Sequence, residues 1–145
     1  MTQIRVIAIA VIARPSDGAL LVYDGYDTVK GEAYHRPLGG GIEFGETAEA
    51  AVRREIREEL GQELADVALL GFLENLFVND GKPGHQIVAV LSATLVDPAL
   101  YARDEIAYTD NNVAWTARWR SEPDDRPLYP DGLAALLSQT RRTRP

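Results

Sequence analysis

A glycine-rich turn followed by an acidic helix constrains this chain of 145 residues most strongly. The turn consists of Gly39, Gly40 and Gly41 and is followed by Gly45, and the segment from Thr47 to Leu60 contains neither proline nor glycine. That segment consists mostly of good helix formers, Thr47 is suited to N-capping, and Gly61 suits a left-handed C-terminal position. The pattern predicts a helix entered through a loop that lets phosphate approach the backbone.

The acidic residues of this predicted helix lie on an unusual face. At about 100° per residue, an apolar ridge is formed by Ala48, Val52, Ile56 and Leu60. Glu59 falls within this ridge, Glu55 lies beside it, and Glu58 lies roughly 60° further round. A carboxylate in such a position costs several kcal/mol unless a cation or hydrogen-bond donors compensate. We therefore expect the three carboxylates to face a semi-buried cation.

The chemistry of the expected ligands indicates which cation would bind. Oxygen ligands suit Mg²⁺ or Mn²⁺, and Mg²⁺ is commonly held by a few carboxylates together with substrate phosphates. Arg54 and Glu58 have i,i+4 spacing, so this pair can hold a ligating side chain in orientation. The alternative is a solvated surface helix with i,i+4 ion pairs, but the inward Glu59 and the preceding glycines argue against it.

The segment from Gly40 to Gln62 resembles the Nudix box. That pattern is Gly, five residues, Glu, seven residues, Arg-Glu, an aliphatic, any residue, Glu-Glu, any residue, Gly and an aliphatic. The seven positions of fixed identity all match, at Gly40, Glu46, Arg54, Glu55, Glu58, Glu59 and Gly61. At a frequency of about 7% per residue type, chance agreement is on the order of 10⁻⁸ per starting point.

Two features depart from the family pattern. Gln62 stands where the pattern has an aliphatic residue, and we expect this to alter helix-exit packing rather than chemistry. The approach to the box reads Tyr34-His35-Arg36-Pro37-Leu38-Gly39-Gly40, whereas the family often has Trp, a short gap and Pro-Gly-Gly. The second departure concerns the side of the preceding strand that is expected to face the substrate.

The resemblance implies an α/β fold, specifically a Nudix-type α/β/α sandwich with a mixed β-sheet between helices. It implies that Glu55, Glu58 and Glu59 bind metal and that Arg54 orients them. Three further positions are implied to support the site: the acid Glu46, Gly40, and a backbone carbonyl near Gly39 or Gly40.

The resemblance also implies a reaction. Family members use Mg²⁺, for which Mn²⁺ can substitute, to hydrolyse the pyrophosphate of a nucleoside diphosphate linked to another group. A carboxylate not fully engaged with metal can act as general base, and Glu58 and Glu59 both remain candidates. In some relatives a later loop supplies the base or a further ligand, for which Asp104 and Glu105 are the candidates, with Glu74 behind them.

The substrate is left open by the box. A nucleoside triphosphate, a nucleotide sugar such as ADP-ribose and a dinucleotide all require the same residues. Arg36 and His35 precede the glycine turn and are candidates for contact with the nucleotide; a solvent-facing or ion-paired role is equally compatible. The alternative to an enzyme is a non-catalytic, ligand-sensing domain of the same fold. Dimerisation is common among sugar-diphosphate members, so a homodimer is also left open.

Composition excludes several other classes. The formal net charge of −7 argues against nucleic-acid polymers, and the lack of cysteine excludes disulfides and thiolate metal sites. No apolar run reaches membrane-spanning length and no signal pattern begins the sequence, so we expect a cytoplasmic protein without membrane partners. We expect one domain over residues 1–140 and a short basic tail over 141–145.

Hydrophobic patterning predicts the remaining elements. Ile4 to Ala13 is almost continuously apolar, which predicts a strand buried on both faces. Ala19 to Tyr23 is predicted to return as its hairpin partner after a turn at residues 14–18. Further strands are predicted at 33–36, 66–78 with a break near 74–75, 86–96 and 112–116, with a turn at 79–84 and a helix at 131–139.

Overall fold

The computed structural model describes residues 2–142 and contains eight strands and two α-helices. The strands are β1 (Ile4–Ile12), β2 (Leu20–Asp27), β3 (Glu32–Arg36), β4 (Gly39–Gly41), β5 (Leu64–Asn79), β6 (Lys82–Leu95), β7 (Glu105–Asp110) and β8 (Val113–Arg120). The helices are α1 (Ala48–Leu60) and α2 (Leu133–Arg142), with a short 3₁₀ helix at Pro98–Ala102. No helix within residues 2–142 is long and apolar enough to cross a bilayer.

The predicted α/β class is confirmed, but the strands form two four-stranded sheets rather than one. In the first sheet the order is β4-β1-β6-β5, with β1 and β6 parallel and the other pairs antiparallel. The second sheet has the order β3-β2-β8-β7 and is antiparallel throughout. The first sheet is therefore the mixed sheet that the resemblance implied.

The predicted hairpin between the first two strands is wrong. β2 pairs with β3 and β8 in the second sheet, and only an isolated bridge from Ala13 to Leu20 links it to the end of β1. The physical reason is that β4 and β6 already occupy the two edges of β1. The intervening turn is present, and Arg14 Nε donates to Asp17 at 3.0 Å within it.

β1 separates the two hydrophobic cores of the protein. Ala8, Ala10 and Ile12 face a core shared with α1 and the second sheet. The alternate residues of β1 face a second core that includes Val22 and Leu133. Burial on both faces explains why the sequence of this strand is continuously apolar instead of alternating.

A long hairpin of β5 and β6 extends the first sheet. β5 has no break at residues 74–75, and its irregularities lie nearer its start, between Ala65 and Ala68 and between Leu69 and Gly71. The turn predicted at residues 79–84 is present but shorter, because β6 already begins at Lys82. Asp80 and Gly81 have φ values of 52° and 76°, which suit a tight hairpin turn.

α1 begins and ends as its sequence predicts. Thr47 accepts a hydrogen bond from the amide of Ala50 at 3.1 Å, and Gly61 has φ 65°. Ala51, Val52 and Ile56 are buried against the first core. This packing fixes the rotation of the helix and therefore the direction in which its carboxylates point.

The expected basic tail over residues 141–145 overlaps the end of α2. α2 continues through Arg142, so Arg141 and Arg142 belong to this helix. Arg144 lies outside the described residues.

Candidate functional site

Arg54, in the middle of α1, connects three acidic side chains. Its Nε and Nη2 donate to the two carboxylate oxygens of Glu46 at 2.8 and 2.9 Å. Its Nη1 donates to Glu55 at 3.0 Å and reaches Glu58 at 3.4 Å. The Nη2 atom of Arg54 also donates a hydrogen bond to the backbone carbonyl oxygen of Gly41 at 3.0 Å. One planar cation thus fixes the helix acids relative to the glycine turn.

The electrostatics of this cluster follow from these bonds. Hydrogen bonds from the Arg54 guanidinium lower the pKa of Glu46 to about 2. The same bonds raise the pKa of Arg54 above its ordinary value. Glu46 is therefore an anion at neutral pH and forms a two-point ion pair with Arg54.

Glu59 lies in the environment that its helical position predicts. Burial raises the pKa of its carboxyl group well above the ordinary value, and the neighbouring charges of Glu55, Asp110 and Glu58 add to the effect. A carboxylate cluster without a counter-cation opposes the ionisation of a member that is partly removed from water. This is the electrostatic situation that a bound divalent cation would reverse.

The glycine turn lets the helix acids approach the backbone. A Cβ atom at Gly40 would overlap the carboxylate of Glu55, and one at Gly39 would overlap the carbonyl oxygen of Ala8. β4 can therefore pair with β1 and contact α1 only because these positions carry no side chain. Gly40, the first residue of the box, lies directly against the Glu55 carboxylate, while Gly39 lies against β1.

A small cavity of about 90 Å³ lies beside Glu59. Its lining residues are Tyr23, Leu38, Gly39, Glu59, Tyr108, Asp110 and Trp115. Asp110 ends β7 and is followed by Asn111 and Asn112, both with positive φ. Sequence reasoning did not single out Asp110, although two asparagines between strands are a signal for a tight hairpin.

The acids predicted from the later loop, Asp104 and Glu105, lie at the opposite end of β7 from Asp110. Asp104 interacts electrostatically with Arg14, and Glu105 lies 3.4 Å from Arg118. Asp104 precedes β7 and Glu105 is its first residue, whereas Asp110 is its last. A strand rises about 3.3 Å per residue, so the two ends of β7 are far apart. Glu74 is exposed on β5.

A large cavity of about 870 Å³ adjoins the small one. Tyr23 and Trp115 line both cavities, with ring centroids 5.3 Å apart in an edge-to-face contact. Arg36 lines the large cavity, and its Nη2 donates to Gln86 Oε1 at 2.8 Å. Such a volume accommodates a nucleotide-sized ligand.

His35 has a structural environment instead. Its side chain is buried, and its ring nitrogens lie 3.1 Å from Arg120 and Arg126. Its Nε2 is 3.2 Å from Asp24. The alternation of β3 places Arg36 toward the cavity and His35 away from it, within a network that joins β2, β3 and β8.

The side chains of the acids, as positioned in residues 2–142, do not form a closed cation site. Among residues 2–142, no group of three His, Cys, Asp or Glu side chains meets the geometry of a metal site. Glu58 is 59% exposed and is held by Arg54. A cation bound at Glu55 and Glu59 would recruit Glu58 only if its carboxylate turned inward.

Comparison with known proteins identifies the family. The NUDIX domain model matches residues 4–132, and the chain belongs to this family. Nucleoside triphosphatase NudI of Salmonella newport (strain SL254) is 34% identical over 95 residues, which are 63% of this chain and 63% of that protein. The resemblance of the Gly40–Gln62 segment is thereby confirmed, while the match spans less than two thirds of the relative.

Solved structures support the same fold. The MutT NUDIX hydrolase from Burkholderia pseudomallei is 25% identical with a TM-score of 0.58, covering 93% of this chain and 97% of that one. The E. coli ORF135 protein is 22% identical with a TM-score of 0.59, covering 99% and 95%.

Proposed function

We propose that this chain is a Mg²⁺-dependent pyrophosphohydrolase, with Mn²⁺ as a substitute, acting on a nucleoside diphosphate linked to another group. The observation that carries this proposal is the set of bonds from Arg54 to Glu46, Glu55 and Glu58. These bonds hold helix acids beside the half-buried Glu59, next to a cavity of nucleotide size. A structural ion-pair network would not need the half-buried acid or the adjoining cavity.

The residues present fit a divalent cation. All candidate side-chain donors are carboxylates, which suit Mg²⁺. The missing side chain at Gly40 leaves room for the Glu55 carboxylate, and the mutual repulsion of Glu55 and Glu59 favours a cation between them. Glu55, Glu58, Glu59 and the backbone near Gly39 would hold it. When bound, Mg²⁺ would neutralise phosphate charge and lower the pKa of a water molecule.

The chain's own residues would then orient the metal ligands and activate the attacking water. Arg54 would keep the ligating carboxylates in place, and Glu46 would keep Arg54 in place. Either Glu58 or Glu59 would accept the proton of the attacking water, and Asp110 joins these candidates because of its position beside Glu59.

The large cavity would hold the nucleoside part of the substrate. Tyr23 and Trp115 stand between the two cavities, so a ligand in the large cavity can present its pyrophosphate to the acids. Arg36 is a candidate contact for a phosphate or the base. The name of the NudI relative favours a nucleoside triphosphate over the sugar and dinucleotide alternatives. A small nucleotide is the only partner proposed, and a cytoplasmic location remains an expectation.

The test is release of phosphate, pyrophosphate or a nucleoside monophosphate from a nucleotide panel with Mg²⁺ or Mn²⁺. Glu59→Gln is expected to abolish turnover and leave the thermal transition in place, and chelation with EDTA is expected to have the same effect. Glu49→Gln is the matched control, because Glu49 pairs with Arg53 on the exposed side of the same helix. Nucleotide binding without turnover in the wild type would favour a sensing domain instead.

A further inference from the structure

Two buried carboxamides form part of the wall of the large cavity. Asn75 and Gln86 are directly opposed across β5 and β6, and both line the cavity. Their exposed fractions are only 5% and 7%. Within residues 2–142 no fully shielded side-chain nitrogen or oxygen lacks a hydrogen-bond partner, so any unbonded amide atom of these two residues lies on the cavity surface, where a ligand can reach it.

Arg36 fixes the orientation of one of these amides. Its Nη2 can only donate, so the atom that faces it at 2.8 Å must be the Gln86 carbonyl oxygen. The Gln86 amide nitrogen is therefore left as a donor. Within residues 2–142, no group bonds this nitrogen or the Asn75 carboxamide.

The resulting array has a defined chemical pattern. Arg36 retains further N–H donors beside Gln86, the Gln86 Nε2 donates, and the Asn75 carboxamide can turn either its oxygen or its nitrogen to a ligand. A planar group matches this array if it presents two adjacent acceptors, followed by either a donor or an acceptor that Asn75 can meet. Guanine and hypoxanthine do so with N7, O6 and the N1–H group, whereas adenine places an amino donor at the central position.

We propose that Arg36, Gln86 and Asn75 select nucleotides with a 6-oxopurine base. This inference rests on the proposed function, since it names the substrate class of the same site. Tyr23, Tyr34 and Trp115 line the same cavity and supply aromatic surfaces for a base. The amide of Gln86 is the discriminating group because Arg36 prevents it from presenting its oxygen to the ligand.

The experiment compares IMP and AMP by isothermal titration calorimetry in the absence of divalent cations. The two ligands share ribose and phosphate and differ at the position that Gln86 contacts. We expect IMP to bind about tenfold more tightly than AMP. Gln86→Glu replaces the donor with an acceptor of the same shape and is expected to remove the preference. Gln62→Glu makes the same chemical change at the exit of α1 and is expected to retain it.

Several outcomes would overturn the inference. The first is equal affinity for IMP and AMP, and the second is an affinity for ribose 5-phosphate equal to that for IMP. The others are no binding of IMP at millimolar concentration, and a Gln86→Glu variant that folds and still prefers IMP. If that variant does not fold, the wild-type comparison is joined by Asn75→Ala, which is expected to weaken IMP binding severalfold. Because binding is measured without turnover, an IMP preference in a protein that hydrolyses no nucleotide would contradict the proposed function alone.

Discussion

Arg54 and Glu46 form a two-point ion pair, with Nε to Oε2 at 2.8 Å and Nη2 to Oε1 at 2.9 Å. Because Glu46 lies before α1 and Arg54 within it, the pair joins the loop to the helix. Arg54 can then present Nη1 to Glu55 only in one direction. The position of a proposed ligand therefore depends on a residue that does not itself face the cavity.

Arg54→Lys should lower kcat by about 10- to 100-fold, the usual cost of losing a group that orients metal ligands. A lysine ammonium cannot bridge Glu46 and Glu55 with parallel bonds. Steady-state kinetics with a Mg²⁺ titration measure the effect. Arg57→Lys is the control, because Arg57 makes the same two-point pair with Glu63 on the exposed surface. Equal losses in the two variants would contradict an orienting role for Arg54.

Glu46→Gln should reduce the acid sensitivity of folding. The folded-state pKa of Glu46 is about 2, below its ordinary value of 4.5. Its stabilisation is therefore fully present above about pH 4.5 and is lost as the pH falls toward 2. Urea unfolding at pH 6 and pH 3, with EDTA present, should show a smaller decrease in the free energy of unfolding for the variant. The prediction fails if the variant and the wild type lose equal stability.

Gly40→Ala should impair activity by displacing Glu55. A Cβ atom at this position overlaps the Glu55 carboxylate, so the acid must move away from the turn. We expect at least a tenfold loss of kcat/KM, in the range seen when a ligating group is displaced, with a higher Mg²⁺ requirement. Gly71→Ala is a control, since its Cβ would meet only the end of the Leu136 side chain at 3.3 Å. Wild-type kinetics in Gly40→Ala would remove Glu55 from the metal assignment.

Asp110→Asn should lower kcat by at least about tenfold, because Asp110 is the later acid that lies beside Glu59. Asp104→Asn should leave kcat near the wild-type value, since Asp104 lies near Arg14. The comparison requires only steady-state rates and melting curves for both variants. A larger effect at Asp104 would show that the later loop reaches the acids by rearrangement.

The helix and its acids could be predicted because their geometry is local. Spacing along one helix placed Glu59 on the apolar side, and the structure half-buries it there. Thr47 and Gly61 likewise act within one turn of the helix ends. Such features depend on neighbouring residues alone, so the sequence contains them in full.

Pairing between distant strands could not be predicted in the same way. The partner of β2 depends on β4 and β6 having already filled the edges of β1, and β6 lies more than 70 residues from β1. Asp110 was missed for a related reason. Its proximity to Glu59 arises from the packing of β7 against α1, which no short sequence pattern encodes.

The two cavities are built from largely different parts of the chain and share only Tyr23 and Trp115. α1, the glycine turn and the end of β7 supply the acids, while the tips of β5 and β6 supply much of the larger wall. Substitutions in that hairpin can therefore change the choice of ligand and leave the acid cluster undisturbed. Such a division lets selectivity diverge during evolution while the reaction chemistry stays constant, with the two shared aromatic residues as the most constrained positions.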